Sequence, residues 1–249
     1  MSANPEAAPA DTELLSPLFL WNGGWLMIMR RLHNRPHRHV AASLLVGLEG
    51  PITVTVDGQC RRQRQVLVAP ECEQSLASDG PVAVLHLDPD ESAWRVRANT
   101  PLPDDLPAQL AALTAAPSAD TASALIRQLR DGRVAPLDAR IAATCRQLKR
   151  APELADSATL AAAAGLSESR FRHLFREQLG VTLKRYLLHL KCQRVVALWR
   201  DGMTFTELAQ HAGFYDQPHL NRTLRAMFDA LPSRYARHLP VPVLHLSLP

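Results

Sequence analysis

Leu160-Ala161-Ala162-Ala163-Ala164-Gly165-Leu166 is repeated 48 residues downstream as Leu208-Ala209-Gln210-His211-Ala212-Gly213-Phe214. The correspondence continues past a one-residue insertion in the second copy. Phe171 then aligns with Leu220, Phe175 with Leu224, Arg176 with Arg225, Leu179 with Phe228, Arg185 with Arg234 and Tyr186 with Tyr235. Two copies of one supersecondary unit are the economical explanation. Two helices crossing steeply need a small residue at the crossing, a turn residue that tolerates positive φ, and an apolar residue six or seven positions on to seat the second helix. Ala161, Gly165 and Phe171 meet those needs in the first copy, and Ala209, Gly213 and Leu220 in the second. Ser167 and Asp216 stand where the second helices need N-caps. The pattern predicts two helix-turn-helix units, at about 157–179 and 204–228.

Proline and glycine extend this reading outward. Between Glu153 and Gln217 there is no proline, and Gly165, Gly180, Gly202 and Gly213 punctuate helices rather than interrupt them. Thirteen of the 19 prolines precede Asp138. There the apolar runs are short: Trp25–Leu32, Ala42–Leu48, Ile52–Val56, Val66–Ala69 and Val82–Leu87, each bounded by Gly, Pro or Asp. These read as strands of a small antiparallel sandwich or barrel, with Asp57-Gly58 as a hairpin turn. Two helices follow, carrying Leu106, Leu110 and Leu113 on one and Ala122, Leu125, Ile126 and Leu129 on the other, capped by Asp104 or Asp105 and by Ser118. They form core for this domain or a dimer seam. A boundary between Gly132 and Pro136 divides the chain into an α+β protein of two domains, 18–132 and 136–239.

Charge divides at the same place. The 249 residues are 47% hydrophobic and 21% charged, which argues against a disordered chain, and carry a net charge of only +4. Residues 1–137 hold 12 basic and 15 acidic side chains, whereas residues 138–249 hold 16 and 9. A helical half with a surplus of +7 suits nucleic acid, because Lys and Arg neutralise phosphates and release counterions. Cys60, Cys72, Cys145 and Cys192 have neither zinc-ribbon spacing nor the density of a disulfide framework. Met1–Glu13 lacks a basic flank and an apolar core, and no apolar run is long enough to span a bilayer. A cytoplasmic protein without membrane contact is expected.

Residues from about Pro136 to Leu239 resemble the DNA-binding domain of the AraC/XylS family of bacterial transcription regulators. The likeness rests on Leu160–Ser167, Phe171, Leu174-Phe175-Arg176, Leu179-Gly180-Val181-Thr182 and Tyr186, and then on Leu208–Gln217, Asn221-Arg222, Pro232 and Tyr235. The departures are mild. The family usually has Phe at Leu220 and Leu224, Gly at Asp229, Ser or Thr at Leu231 and Arg at Ala236; His173 and Leu183 replace a frequent Arg and Pro. The resemblance implies that each second helix enters a major groove by its N-terminal turns. Base edges would be read by Ser169, Arg172 and His173 in one copy and by Gln217, His219, Asn221 and Arg222 in the other. Phosphates would be met by Arg170, Arg176, Lys184, Arg185, Arg225 and Arg234. A linker helix from Leu183 to Arg200, ~25 Å long at ~1.5 Å per residue, would set the two recognition helices in grooves ~34 Å apart.

The first half resembles the cupin-like sensor domain common in that family, mainly through His37-x-His39 followed by hairpin strands. Residues two apart on a strand face the same way, so this pair could chelate a divalent metal with His86 as third ligand. The position of the usual carboxylate falls on Ser43 or Leu44, and Gln74 stands where a histidine is common. The other expectation is an apolar interior, with Trp21, Trp25 and Trp94, that holds a small organic effector and needs no cofactor. The reading is a sequence-specific regulator and not an enzyme, with promoter DNA, RNA polymerase, an unknown effector and a second copy of the chain as partners. The alternative is a metal-dependent cupin enzyme with an accessory helical domain; no nucleophile elbow or phosphate loop supports it.

Overall fold

A computed structural model describes residues 13–151, 156–199, 203–229 and 242–248. The five expected strands are present as β2 (Gly24–Met29), β5 (Ala42–Gly47), β6 (Ile52–Val56), β8 (Gln65–Val68) and β10 (Val82–Leu87). Six strands escape the apolar-run reading: β1 (Leu18–Trp21), β3 (Leu32–His33), β4 (His37–Arg38), β7 (Gln59–Gln63), β9 (Glu73–Ser78) and β11 (Val243–His245). Strand β7 is exposed throughout, so nothing apolar marks it; it forms because Asp57 and Gly58, both at positive φ, fold it back on β6.

The strands form two sheets, ordered β11-β1-β2-β10-β5-β8 and β3-β9-β6-β7, with β4 also on β9. Met29, Leu45, Val66 and Val84 of the first sheet meet Ile52, Val54 and Leu76 of the second in one core. The outer face of the six-stranded sheet is covered as well. Leu26, Ile28, Leu44 and Leu85 pack against Leu106, Leu110 and Leu113 of α2 (Leu106–Ala115) and Leu125, Ile126 and Leu129 of α3 (Ala119–Arg130). Burial on both faces explains why β5 and β10 are apolar without alternation. Of the two roles open to these helices, the described residues fill that of core. A short α1 (Ser92–Arg97) precedes them.

The second half is helical: α4 (Ala139–Arg150), α5 (Ser157–Ala163), α6 (Glu168–Leu179), α7 (Leu183–Leu198), α8 (Phe205–His211) and α9 (Gln217–Phe228). Its two helix-turn-helix units are built alike. Gly165 and Gly213 take φ of +65° and +82°, which lets the next N–H turn back to the crossing helix: Leu166 to the Ala161 carbonyl at 2.9 Å and Phe214 to the Ala209 carbonyl at 2.8 Å. Ser167 and Asp216 cap α6 and α9 by accepting the N–H groups of Arg170 and His219. Helix α7 does more than space the two units apart. It buries Tyr186, His189, Cys192 and Val195 around several faces, because both units and the sheet domain pack on it.

The domains share a polar and an apolar boundary. Asp88, fully buried after β10, receives hydrogen bonds from His189 Nε2 at 2.8 Å and Gln193 Nε2 at 2.6 Å, and its second oxygen lies 2.9 Å from Lys149 Nζ. Asp90 lies 2.8 Å from the same ammonium and accepts the Tyr186 hydroxyl at 2.9 Å. Burial pushes the Asp88 carboxyl up; Lys149 and the His189 bond more than reverse this and hold it well below the usual range. At the other edge Arg35 clasps Asp229, 2.8 Å away, which ends α9 in the left-handed region at φ +47°. Strand β11, beyond the helical domain in sequence, returns to pair with β1 in parallel.

Candidate nucleic-acid interface and the adjoining cavity

The two turns place α6 and the start of α9 along one groove of about 1080 Å³. Ser169, Arg172, His173 and Arg176 of α6 line it, facing Lys184 of α7 and His219 of α9. Phe171, Leu174 and Phe175 point into the core, as the spacing requires. Arg172 and His173 are exposed and held by carboxylates one turn away, Glu168 at 2.8 Å and Glu177 at 3.8 Å; such pairs are weak in water and open readily. A groove lined by Arg, Lys and His with few carboxylates attracts a polyanion.

The remaining expected contacts are distributed otherwise. Arg170, Arg222 and Arg225 are exposed on the recognition helices but outside the groove lining. Gln217 accepts a hydrogen bond from Thr206 at 3.2 Å, and Asn221 is half-buried. Arg185 turns away from this face altogether. Its guanidinium reaches Glu71 at 3.0 Å and the Arg38 carbonyl at 3.2 Å, both in the sheet domain, which removes it from the phosphate set. Arg234 lies outside the described residues. Lys191 and Arg194 of α7 also line the groove and were not expected there. Their signal was the seven-residue interval from Lys184 to Lys191, two turns on one helix face.

Behind the second recognition helix lies a cavity of about 150 Å³ between the domains. The sheet domain contributes Trp25, Met27, Met29 and Val84, and the helical domain closes it with Leu224 and Phe228 of α9 and Val195 of α7. Of the three tryptophans expected in this interior, Trp25 alone lines it. Trp21 and Trp94 pack in the core beneath α2 and α3, where the Trp21 indole donates to Glu91.

His37, His39 and His86 do come together at the polar end of the cavity. The Nε2 atoms of His37 and His39 are 2.7 Å apart, and the His39 and His86 rings have centroids 4.4 Å apart. The arrangement does not fit a metal centre. The two Nε2 atoms are spent on one hydrogen bond, Ser43 and Gln74 bond each other at 2.7 Å where further ligands would stand, and among the described residues no group of three or more His, Cys, Asp or Glu is arranged to hold a metal ion. Burial lowers all three pKa values, His86 to about 3. Unfolding returns His86 to the ordinary imidazole value of 6.5, so the unfolded chain binds a proton that the folded one refuses. Its contribution is therefore present above pH 6.5 and lost downward to about 3. Unfolding free energies measured from pH 6.5 down to 4.5 should fall by about 1.4 kcal/mol per pH unit for this group. His86→Phe should flatten that slope.

Two stacked helix-turn-helix units sharing one basic groove define a DNA-binding class of fold. Residues 160–238 match the family described as "Helix-turn-helix domain". Over 105 residues the chain is 30% identical to the arabinose operon regulatory protein of Salmonella typhimurium, a match covering 40% of this chain and 37% of that relative. ToxT from Vibrio cholerae O395 superposes over 86% of this chain and 96% of its own, with a TM-score of 0.56 at 12% identity. A ToxT structure bound to an unsaturated fatty acid, from strain SCE256, covers 86% of this chain and 94% of its own, with a TM-score of 0.52 at 12% identity. The chain has a two-domain α+β fold, and its C-terminal double helix-turn-helix domain is similar to that of the AraC/XylS family. Among the described residues no helix is long and apolar enough to cross a membrane.

Proposed function

We propose that the chain is a transcription regulator that reads promoter DNA with α6 and α9 in two successive major grooves and is controlled by a small effector in the interdomain cavity. One observation carries the DNA part: the repeat yields two recognition helices whose N-terminal turns meet one groove rich in Arg, Lys and His. The outward residues differ between the copies, Ser169-Arg172-His173 against Gln217-His219-Arg222, which suits an asymmetric site rather than uniform coating of DNA. Effector control is supported by the shared wall. Phe228 closes α9 and also packs against His39 at 4.8 Å between centroids, so a ligand in the cavity presses on the end of a recognition helix. The unsaturated fatty acid named with ToxT supports a ligand-binding role for a chain of this fold.

Genome-wide mapping of bound sites tests the reading. Discrete sites upstream of genes, sharing an asymmetric motif, are expected. A protein bound nowhere above background under any growth condition would sink it. A second copy of the chain and RNA polymerase are the partners such a site would bring together.

A further inference from the structure

Resting on the effector reading above, we propose that the cavity takes a small neutral molecule that carries one hydrogen-bond donor, a phenol or short alcohol by class, and that His39 Nδ1 accepts its O–H. The directions of three hydrogen bonds lead there. His37 Nδ1 lies 2.7 Å from the Arg35 carbonyl, which only accepts, so that nitrogen carries the proton. Neutral His37 then offers a lone pair at Nε2, and His39 Nε2, 2.7 Å away, must donate to it. The proton of neutral His39 is thereby fixed at Nε2. Its Nδ1 is left as an acceptor, on a residue 5% exposed, with no hydrogen-bond partner. Gln74, 4% exposed, adds a second: its Nε2 donates to Ser43 while its Oε1 has no partner. Buried acceptors left without donors are costly, and both residues line this cavity.

Charge and size narrow the class. Among the described residues none of the lining side chains is Asp, Glu, Lys or Arg, so a carboxylate or an ammonium would enter with no counter-ion from them. This separates the cavity from one built for a fatty-acid anion. Its volume of about 150 Å³ matches an apolar cavity that accepts one benzene-sized ring. Trp25, Met27 and Phe228 supply the apolar and ring-edge contacts such a ring favours.

The test titrates the full chain with phenol, toluene, benzoate and an unsaturated fatty acid by calorimetry and thermal shift. Phenol should bind on the order of tenfold tighter than toluene, the value of one buried hydrogen bond, and benzoate should not bind. In His39→Leu that preference should vanish while toluene still binds. If that variant does not fold, Gln74→Leu should reduce the preference in part. Tighter binding of benzoate or the fatty acid would overturn the donor assignment and leave the effector reading standing. Failure of all four ligands to bind would overturn both. A stoichiometric divalent metal in the purified protein, lost in His39→Leu, would show Nδ1 to be a metal ligand and overturn the proposal.

Discussion

Lys149→Ala is expected to lower the stability of the folded chain by about 3–5 kcal/mol, the usual cost of removing one partner from a buried ion pair. Lys149 is the cation between Asp88 and Asp90, at 2.9 and 2.8 Å. Without it the fully buried Asp88 carboxylate keeps the His189 and Gln193 bonds but loses its ammonium counter-ion. The cluster joins the domains, so the loss should appear first as their separation. Small-angle scattering would then report a larger radius of gyration at denaturant concentrations where near-native helix content persists. Asp88→Asn with Lys149→Met removes both charges and should recover most of the loss. A single-variant cost below about 1 kcal/mol would mean that the pair behaves as an exposed one.

Arg172→Ala and Arg222→Ala should each weaken binding to a mapped site by about 1–3 kcal/mol while changing affinity for random DNA much less, because a guanidinium reads guanine through two acceptors at once. Arg176→Ala should weaken both DNAs alike and reduce the salt slope by about 1, the signature of a lost phosphate contact. Gel-shift titrations at several salt concentrations separate these outcomes. Equal losses on both DNAs for all three variants would remove the division into base and phosphate contacts. Lys191→Ala and Arg194→Ala should follow Arg176, since their place in the groove is on α7 and not on a recognition helix.

The helical domain was legible because its determinants are local. A glycine in the turn, a cap three residues before the N–H it accepts and an apolar residue on the inward face are all fixed within one repeat, and Gly165, Gly213, Ser167, Asp216 and Phe171 behave as that spacing requires. The sheet domain was legible where strands are apolar, as in β5 and β10. It was opaque where pairing partners set the structure instead: β7, exposed throughout, and β11, whose Val243 pairs with Leu18 at the far end of the chain. The same limit governed the site. His37, His39 and His86 were found because two-residue spacing is local, but their hydrogen-bond direction depends on the Arg35 carbonyl, and the ring that covers them belongs to Phe228. Arg185 misled because sequence alone does not say that Glu71 stands opposite it. Asp229 departs from the glycine usual in the family, and only the structure shows Arg35 clasping it.

The parallel pairing of β11 with β1 also sets an order of assembly. Leu18, Phe19 and Leu20 pair with Val243, Leu244 and His245, so the edge of the first sheet is completed by residues that leave the ribosome after every helix from α4 to α9. The sheet domain, though encoded first, is closed last, and the helical domain behaves topologically as an insertion between two neighbouring strands of one sheet. Until Val243 emerges, β1 presents an unpaired backbone edge, and a nascent chain stalled short of it would be open to mispairing with another copy.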